Sequence, residues 1–250
     1  MDAPQDPTQK RVLIGLGVVV AVVALILGIF ALAGGDDDDG DTTTTIGSST
    51  TSSVTSTSTT VATTTTVAAD DLDAAVFPDL TGTERFGDPV ALARAFATGP
   101  LGFRDDLTVG SFAAGDSRSG EVEVSAVAGQ PTTVLVRQLG DGSWFVIGAT
   151  TETIVLNTPA NRARITSVQP LLGEASAFEG HVAVALYADG RGSPIATTFV
   201  TGRGDGVLGP FEGELAFDVP DGATHGTLVL TSPSGEDGST ISATAIRVRF

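Results

Sequence analysis

The chain has 250 residues, 30 of them acidic and 13 basic, which gives a net charge of -17 and a pI near 4.2. That balance excludes nucleic-acid binding built on phosphate neutralisation, and it argues against lying flat on anionic lipid. There is no cysteine, which excludes a disulfide framework and a thiolate metal site.

The first organised stretch is Val12–Ala33, VLIGLGVVVAVVALILGIFALA, with no charge in it. As a helix it rises about 33 Å. A hydrocarbon core is about 30 Å thick, so the stretch reads as a single membrane span. Lys10 and Arg11 abut it on one side, and the next basic residue is Arg85. Asp36–Asp39 and Asp41 follow on the other side. Basic residues beside a span stay inside. Residues 1–11 are therefore expected to be a cytoplasmic tail, with everything from Gly34 onward extracytoplasmic. The rival reading is secretion after cleavage near Ala33, because Ala31-Leu32-Ala33 has the small-x-small form of a signal-peptidase site.

Residues 34–75 are expected to be a disordered linker, first acidic and then Thr/Ser-rich. Between Thr42 and Thr66 about 20 of 25 positions are Ser or Thr, too little apolar surface to offset the cost of ordering. As a flexible coil the linker would average about 36 Å end to end. The Asp36–Asp39 run is not a calcium loop, because Gly35 and Ile46 occupy the outer ligand positions. It reads as a solvated collar beside the membrane.

Residues 76–160 read as a small α+β domain. Asp88 suits an N-cap and Pro89 the first helical position; Val90–Ala97 follow, and Gly99-Pro100 stop the helix. The period then changes to two. Val122 and Val124 alternate with Glu121 and Glu123, and apolar runs recur at Val134–Val136, Trp144–Ile147 and Ile154–Leu156. Gly140-Asp141-Gly142 is a hairpin signal. One helix on an antiparallel sheet is the expected layout.

Residues 161–250 read as an all-β immunoglobulin-like sandwich, joined through the short connector Thr158-Pro159-Ala160-Asn161-Arg162. Strands are expected at Ile165–Val168, His181–Tyr187, Ile195–Thr201, Phe211–Val219, Gly226–Thr231 and Ile241–Phe250. Turns are expected at Asp189-Gly190, Arg203–Gly206, Pro220–Gly222 and Glu236–Gly238. Phe178-Glu179-Gly180, Asp189-Gly190, Gly209-Pro210-Phe211-Glu212, Ser234 with Asp237-Gly238, and the terminal Ile246-Arg247-Val248-Arg249-Phe250 carry a resemblance to a known family. This C-terminal third is similar to the immunoglobulin-like domain of bacterial spore germination proteins. The resemblance implies a β-sandwich in a membrane-anchored or exported envelope protein, and the Thr-rich stalk and preference for Arg over Lys resemble an actinobacterial one. The sequence departs from the family between Ile165 and Phe178. The family carries an extra strand there, and Leu171–Ala177 reads as too short for it.

Few residues invite chemistry. Glu121 and Glu123 on one strand face read as a solvated face rather than a paired-carboxylate site, with Arg137 as a cross-strand partner. Trp144 reads as core rather than a sugar-stacking platform. Arg203-Gly204-Asp205 is an adhesion-type tripeptide that a glycine-rich turn produces by chance. His181 and His225 are the only histidines, too few for a three-histidine zinc site. No G-x-S-x-G elbow accompanies them. No catalytic, cofactor or metal site is expected.

The expected protein is a non-enzymatic, single-pass envelope protein that binds another envelope protein or a cell-wall polymer through its immunoglobulin-like part. The alternatives are a wall-acting enzyme using acids such as Asp105, Asp106, Glu121 or Glu123, and a purely mechanical spacer.

Overall fold

The computed structural model describes residues 68–127 and 129–250, which form one compact unit. The expected tail, membrane span, acidic collar and Thr/Ser tract lie outside the described residues. Among the described residues no helix is long and apolar enough to cross a membrane.

Two helices come first: α1 (Ala69–Ala74) and α2 (Pro89–Thr98). Strands follow: β1 (Thr108–Val109), β2 (Ala113–Ala114), β3 (Ser119–Ser125), β4 (Thr132–Gln138), β5 (Trp144–Thr151) and β6 (Ile154–Thr158). Then come β7 (Ala163–Arg164), β8 (Val168–Ala175), β9 (His181–Ala188), β10 (Ala196–Thr201), β11 (Gly209–Ala216), β12 (His225–Pro233) and β13 (Thr240–Arg249). The described chain is thus mostly antiparallel sheet with few helices. α1 corrects the expected reach of the linker, since its last residues are helical. Leu72 packs beside Ala75, Leu80, Leu139 and Phe145, which gives that end a reason to be ordered.

α2 forms as its sequence dictates. The Asp88 carboxylate accepts the Ala91 N–H at 2.8 Å, satisfying one of the free donors of the first turn, and Pro89 opens the helix. Its buried face is Leu92, Ala93, Phe96 and Ala97. These pack onto Val122, Val124, Val134, Val136 and Val146 of the sheet. The β4–β5 hairpin turns where expected: Gly142 has φ 80°, a conformation glycine adopts without strain, and its N–H donates to the Leu139 carbonyl.

The main sheet runs β1-β3-β4-β5-β13-β12-β9-β10, antiparallel throughout. A second layer, β6-β8-β11, joins it at the β5–β6 turn through Thr151 and Ile154. β6, read from sequence with the first part of the chain, pairs with β8 of the second. The core between the layers sets Ile154, Leu171, Phe211 and Leu215 against Val182, Val184, Leu186, Leu228, Leu230 and Val248.

β12 and β13 are covered on both faces. Leu228, Leu230 and Val248 face the second layer, while Val229, Ala243 and Ala245 face the core under α2. β5 meets β13 in register only at Ala149 and Ala245. Where the two strands diverge, hydroxyls take over. Thr132 Oγ1 accepts the Ala243 N–H at 3.0 Å, Thr244 Oγ1 donates to the Ile154 carbonyl at 2.7 Å, and Thr153 and Ser242 share a hydrogen bond at 2.8 Å. Buried backbone groups rarely go unpaired, and these side chains close the gap.

β8 corrects the expectation that the stretch before Phe178 is too short for the family's extra strand. An eight-residue strand stands there, paired on both sides. Its inward positions are Gln169, Leu171, Gly173 and Ala175. Gly173 has to be glycine: a β-carbon there would lie 2.2 Å from the Val155 carbonyl oxygen and 2.4 Å from the Phe211 ring. Pro170 and Gly173, ordinarily strand breakers, hid the alternation.

The most deeply buried charged group among the described residues is Arg247, whose side chain is 2 % exposed. Its guanidinium reaches Asp189 Oδ1 at 2.5 Å and Oδ2 at 2.6 Å. It also donates to the Leu72 carbonyl at 2.9 and 2.7 Å, while the Arg247 backbone N–H donates to Asn161 Oδ1. α1, the β9–β10 turn and β13 therefore meet at one cation, and the connector is tied to the same residue through its backbone N–H. Removing one partner of a buried pair strands the other charge, so Asp189→Ala is expected to cost about 3–5 kcal/mol in urea unfolding. The double substitution Asp189→Leu with Arg247→Met should recover most of it; equal losses in the single and double variants would show the charge pairing to be irrelevant.

Candidate functional site

Alternation in the second layer sends one set of side chains into the core and the other to solvent. On the outer face stand Val155, Val168 and Leu172, with Glu174, Glu212 and Glu214 between them. Register makes the mixture regular. Leu172 lies opposite Glu212, and Glu174 opposite Val155 on one side and Pro210 on the other. Val168 is 52 % exposed. No described element covers this face. Branched aliphatics amid carboxylates suit a protein surface that is apolar and basic. A sugar platform would present aromatic rings, and this face presents none.

A cleft of about 310 Å³ lies at the end of the sheet, between the β12–β13 turn and the segment after α2. Its charged wall is Arg104, Asp106, Glu236 and Asp237. Arg104 Nη1 lies 2.7 Å from Asp237 Oδ2, and its Nε lies 3.7 Å from Asp106. Asp237 Oδ1 also accepts from the Ser239 hydroxyl at 2.7 Å and from the Ser239 N–H at 3.0 Å. These bonds, with Arg104, hold the Asp237 carboxyl well below the usual carboxylate range. A general acid needs the opposite shift. The cleft is a polar recess in which Arg104 is already matched by acids.

The residues singled out by sequence separate in space. Asp106 lines the cleft, and Asp105, Glu121 and Glu123 do not. Glu121 and Glu123 lie on β3 opposite Leu135 and Thr133, and Arg137 stands opposite Ser119. Trp144 is buried and meets Phe112 edge-on, ring centres 5.1 Å apart. Arg203 and Asp205 are ion-paired to each other, so the adhesion-type tripeptide does not splay its two charges outward. His181 stacks on Phe199 at 5.2 Å. His225 Nε2 lies 2.7 Å from Asp73 Oδ1, and its Nδ1 lies 2.8 Å from the Thr224 hydroxyl. Sequence reasoning missed the outer face of the second layer because it missed β8, and it took Asp189 for a turn residue alone.

Two packed antiparallel layers make the C-terminal part a β-sandwich. Residues 153–239 match the family model of the immunoglobulin-like domain of bacterial spore germination. The match begins at β6, the strand whose pairing places it in the second layer. Comparison with curated proteins and with solved structures returns no match.

The depressed carboxyls set the acid response. Asp237 is held down by Ser239 and Arg104, and Asp116 by the Arg118 N–H and Ser119. A carboxyl whose pKa is lowered on folding contributes stability above its unfolded pKa, about 3.9, and loses it as pH falls towards the folded value. The thermal midpoint followed by circular dichroism should hold from pH 7 to about 5 and fall below about 4. Asp237→Asn should show a smaller acid-induced drop than the unsubstituted chain; an unchanged drop would remove Asp237 from the account.

Proposed function

We propose that this is a non-enzymatic binding protein of the bacterial envelope, held by a single span at Val12–Ala33 with its β-rich part outside the cell. Lys10 and Arg11 before the span and the aspartate run after it support this orientation. In this reading the Thr/Ser tract is the spacer, the stretch before β6 is an α+β part, and the immunoglobulin-like part, which takes in β6, is the binding module. The outer face of β6-β8-β11 carries the proposal: three exposed aliphatics set among three glutamates, on the segment that matches the family. The partner is a protein with a basic, partly apolar surface. The aliphatics would supply desolvated contact, and the glutamates steering and register.

The test uses the full chain, solubilised in mild detergent and immobilised against solubilised envelope proteins. A reproducible partner should be retained. Leu172→Lys with Glu212→Lys should lower its affinity at least about tenfold, the loss expected for one central anchor, with the circular dichroism spectrum unchanged. Retention of every bound protein at the original affinity by the double variant would refute this face as the site.

A further inference from the structure

β10 gives its ladder to β9, and β11 lies against its other edge. What stays bare is a face. Paired residues of neighbouring strands point the same way, so register maps that face. Ala183 lies between Thr231 of β12 and Phe199 of β10, Ala185 lies between Val229 and Thr197, and His181 stands opposite Thr201. The core under α2 reaches this side of the sheet as far as Val229 and Tyr187. Beyond it is a shelf. Ala183, Ala185 and Thr231 are its half-buried floor, and Thr197, Phe199, Thr201 and His181 stand exposed along the far side.

Phe199 is 62 % exposed. His181 stacks against one face of its ring, centres 5.2 Å apart, and exposure this high leaves the other face open. Polar groups with nothing to bond surround the ring. Neither the His181 imidazole nor the hydroxyls of Thr197, Thr201 and Thr231 have a hydrogen-bond partner among the described residues. The shelf holds no acid, lysine or arginine, although the chain carries a net charge of -17.

Each property removes a class of occupant. An ion or a basic segment finds no countercharge here. A purely apolar surface would bury an imidazole and three hydroxyls unpaired, and such groups are costly to desolvate without a partner. What fits is a neutral ligand with a flat C–H face and many hydroxyls. A pyranose ring is built that way: its C–H face rests on an aromatic ring while its hydroxyls exchange hydrogen bonds with imidazole and threonine.

We propose that the β9–β10 shelf binds a neutral, β-linked polysaccharide, with one pyranose ring against the open face of Phe199 and the next along the alanine floor. Methyl-sized side chains at Ala183 and Ala185 keep that floor low enough for a flat, extended sugar chain. His181 serves twice, backing the phenyl ring and bonding sugar hydroxyls as donor or acceptor. The shelf belongs to the main sheet and the β6-β8-β11 face to the second layer. The sugar and the protein partner share no residue, and either reading can fail alone.

The test titrates the full chain, held in a detergent without a sugar headgroup, with the hexasaccharides of β-1,4-linked glucose and β-1,4-linked N-acetylglucosamine, read by calorimetry. At least one should bind. Phe199→Ala should weaken it at least about tenfold, the loss of one stacked ring. Phe199→Trp should keep or raise the affinity, and the circular dichroism spectrum should be unchanged in both variants. His181→Ala should weaken binding too, while Val219→Ala, an exposed aliphatic off the shelf, should leave it in place. Failure of both hexasaccharides to bind, or equal affinity in Phe199→Ala and the unsubstituted chain, would overturn the proposal. So would a Phe199→Ala variant that keeps the sugar and loses an envelope protein, which would give the shelf to a protein instead.

Discussion

A single buried cation ties the described structure together. Arg247 sits near the end of the chain, yet its partners are the Leu72 carbonyl from the first helix, the Asp189 carboxylate from a mid-chain turn and Asn161 from the connector. A guanidinium offers five donors in a fixed plane and cannot shed its charge. Taken from water it is costly unless those donors are matched. The arrangement that brings Leu72 and Asp189 to it together is the native one. A shift of β13 by one residue against β12 would turn Arg247 to the other face of the sheet, among Leu186, Leu228 and Leu230 of the apolar core between the layers. The pair thus selects register at least as much as it adds stability.

Register matters here because β12 and β13 serve two cores at once. A strand buried on one face can slip and lose that face alone. These strands have Leu228, Leu230 and Val248 on one side and Val229, Ala243 and Ala245 on the other, so a slip would empty both cores. That shared pair also explains why the described residues form one unit although two stretches of different pattern compose them. The hydroxyl bridges from Thr132, Thr153 and Thr244 sit where the sheet passes from one core to the other and its backbone ladder thins to a single matched pair.

What was legible in the sequence was local. Asp88 and Pro89 announce α2, Val122 and Val124 alternate in plain view, and Gly140-Asp141-Gly142 marks its hairpin, because each signal lies within a few residues of the structure it makes. The turn glycines and core aromatics of the last third were enough to point to the immunoglobulin-like family. What stayed hidden depends on distant neighbours. β8 looks broken by Pro170 and Gly173 until β6 and Phe211 are placed against it. Arg247 alternates with Arg249 and so reads as a solvent-facing pair, and only the fold buries one and exposes the other. Ala69–Ala74 is too short to stand as a helix alone, and it is tertiary packing that orders it. The outer face of the second layer was invisible for the same reason as β8.

The distribution of charge over the two layers follows from their edges and faces. Val155, Val168 and Leu172 would make an adhesive patch if they stood alone, and Glu174, Glu212 and Glu214 prevent that between copies of this chain because like charge meets like. The same glutamates would reward a basic partner. β10 carries neutral side chains, and β11 of the second layer lies against its outer edge. Carboxylates stand on both layers, Glu121 and Glu123 on β3 and Glu174, Glu212 and Glu214 on the second, so two copies of this acidic chain repel each other from either side.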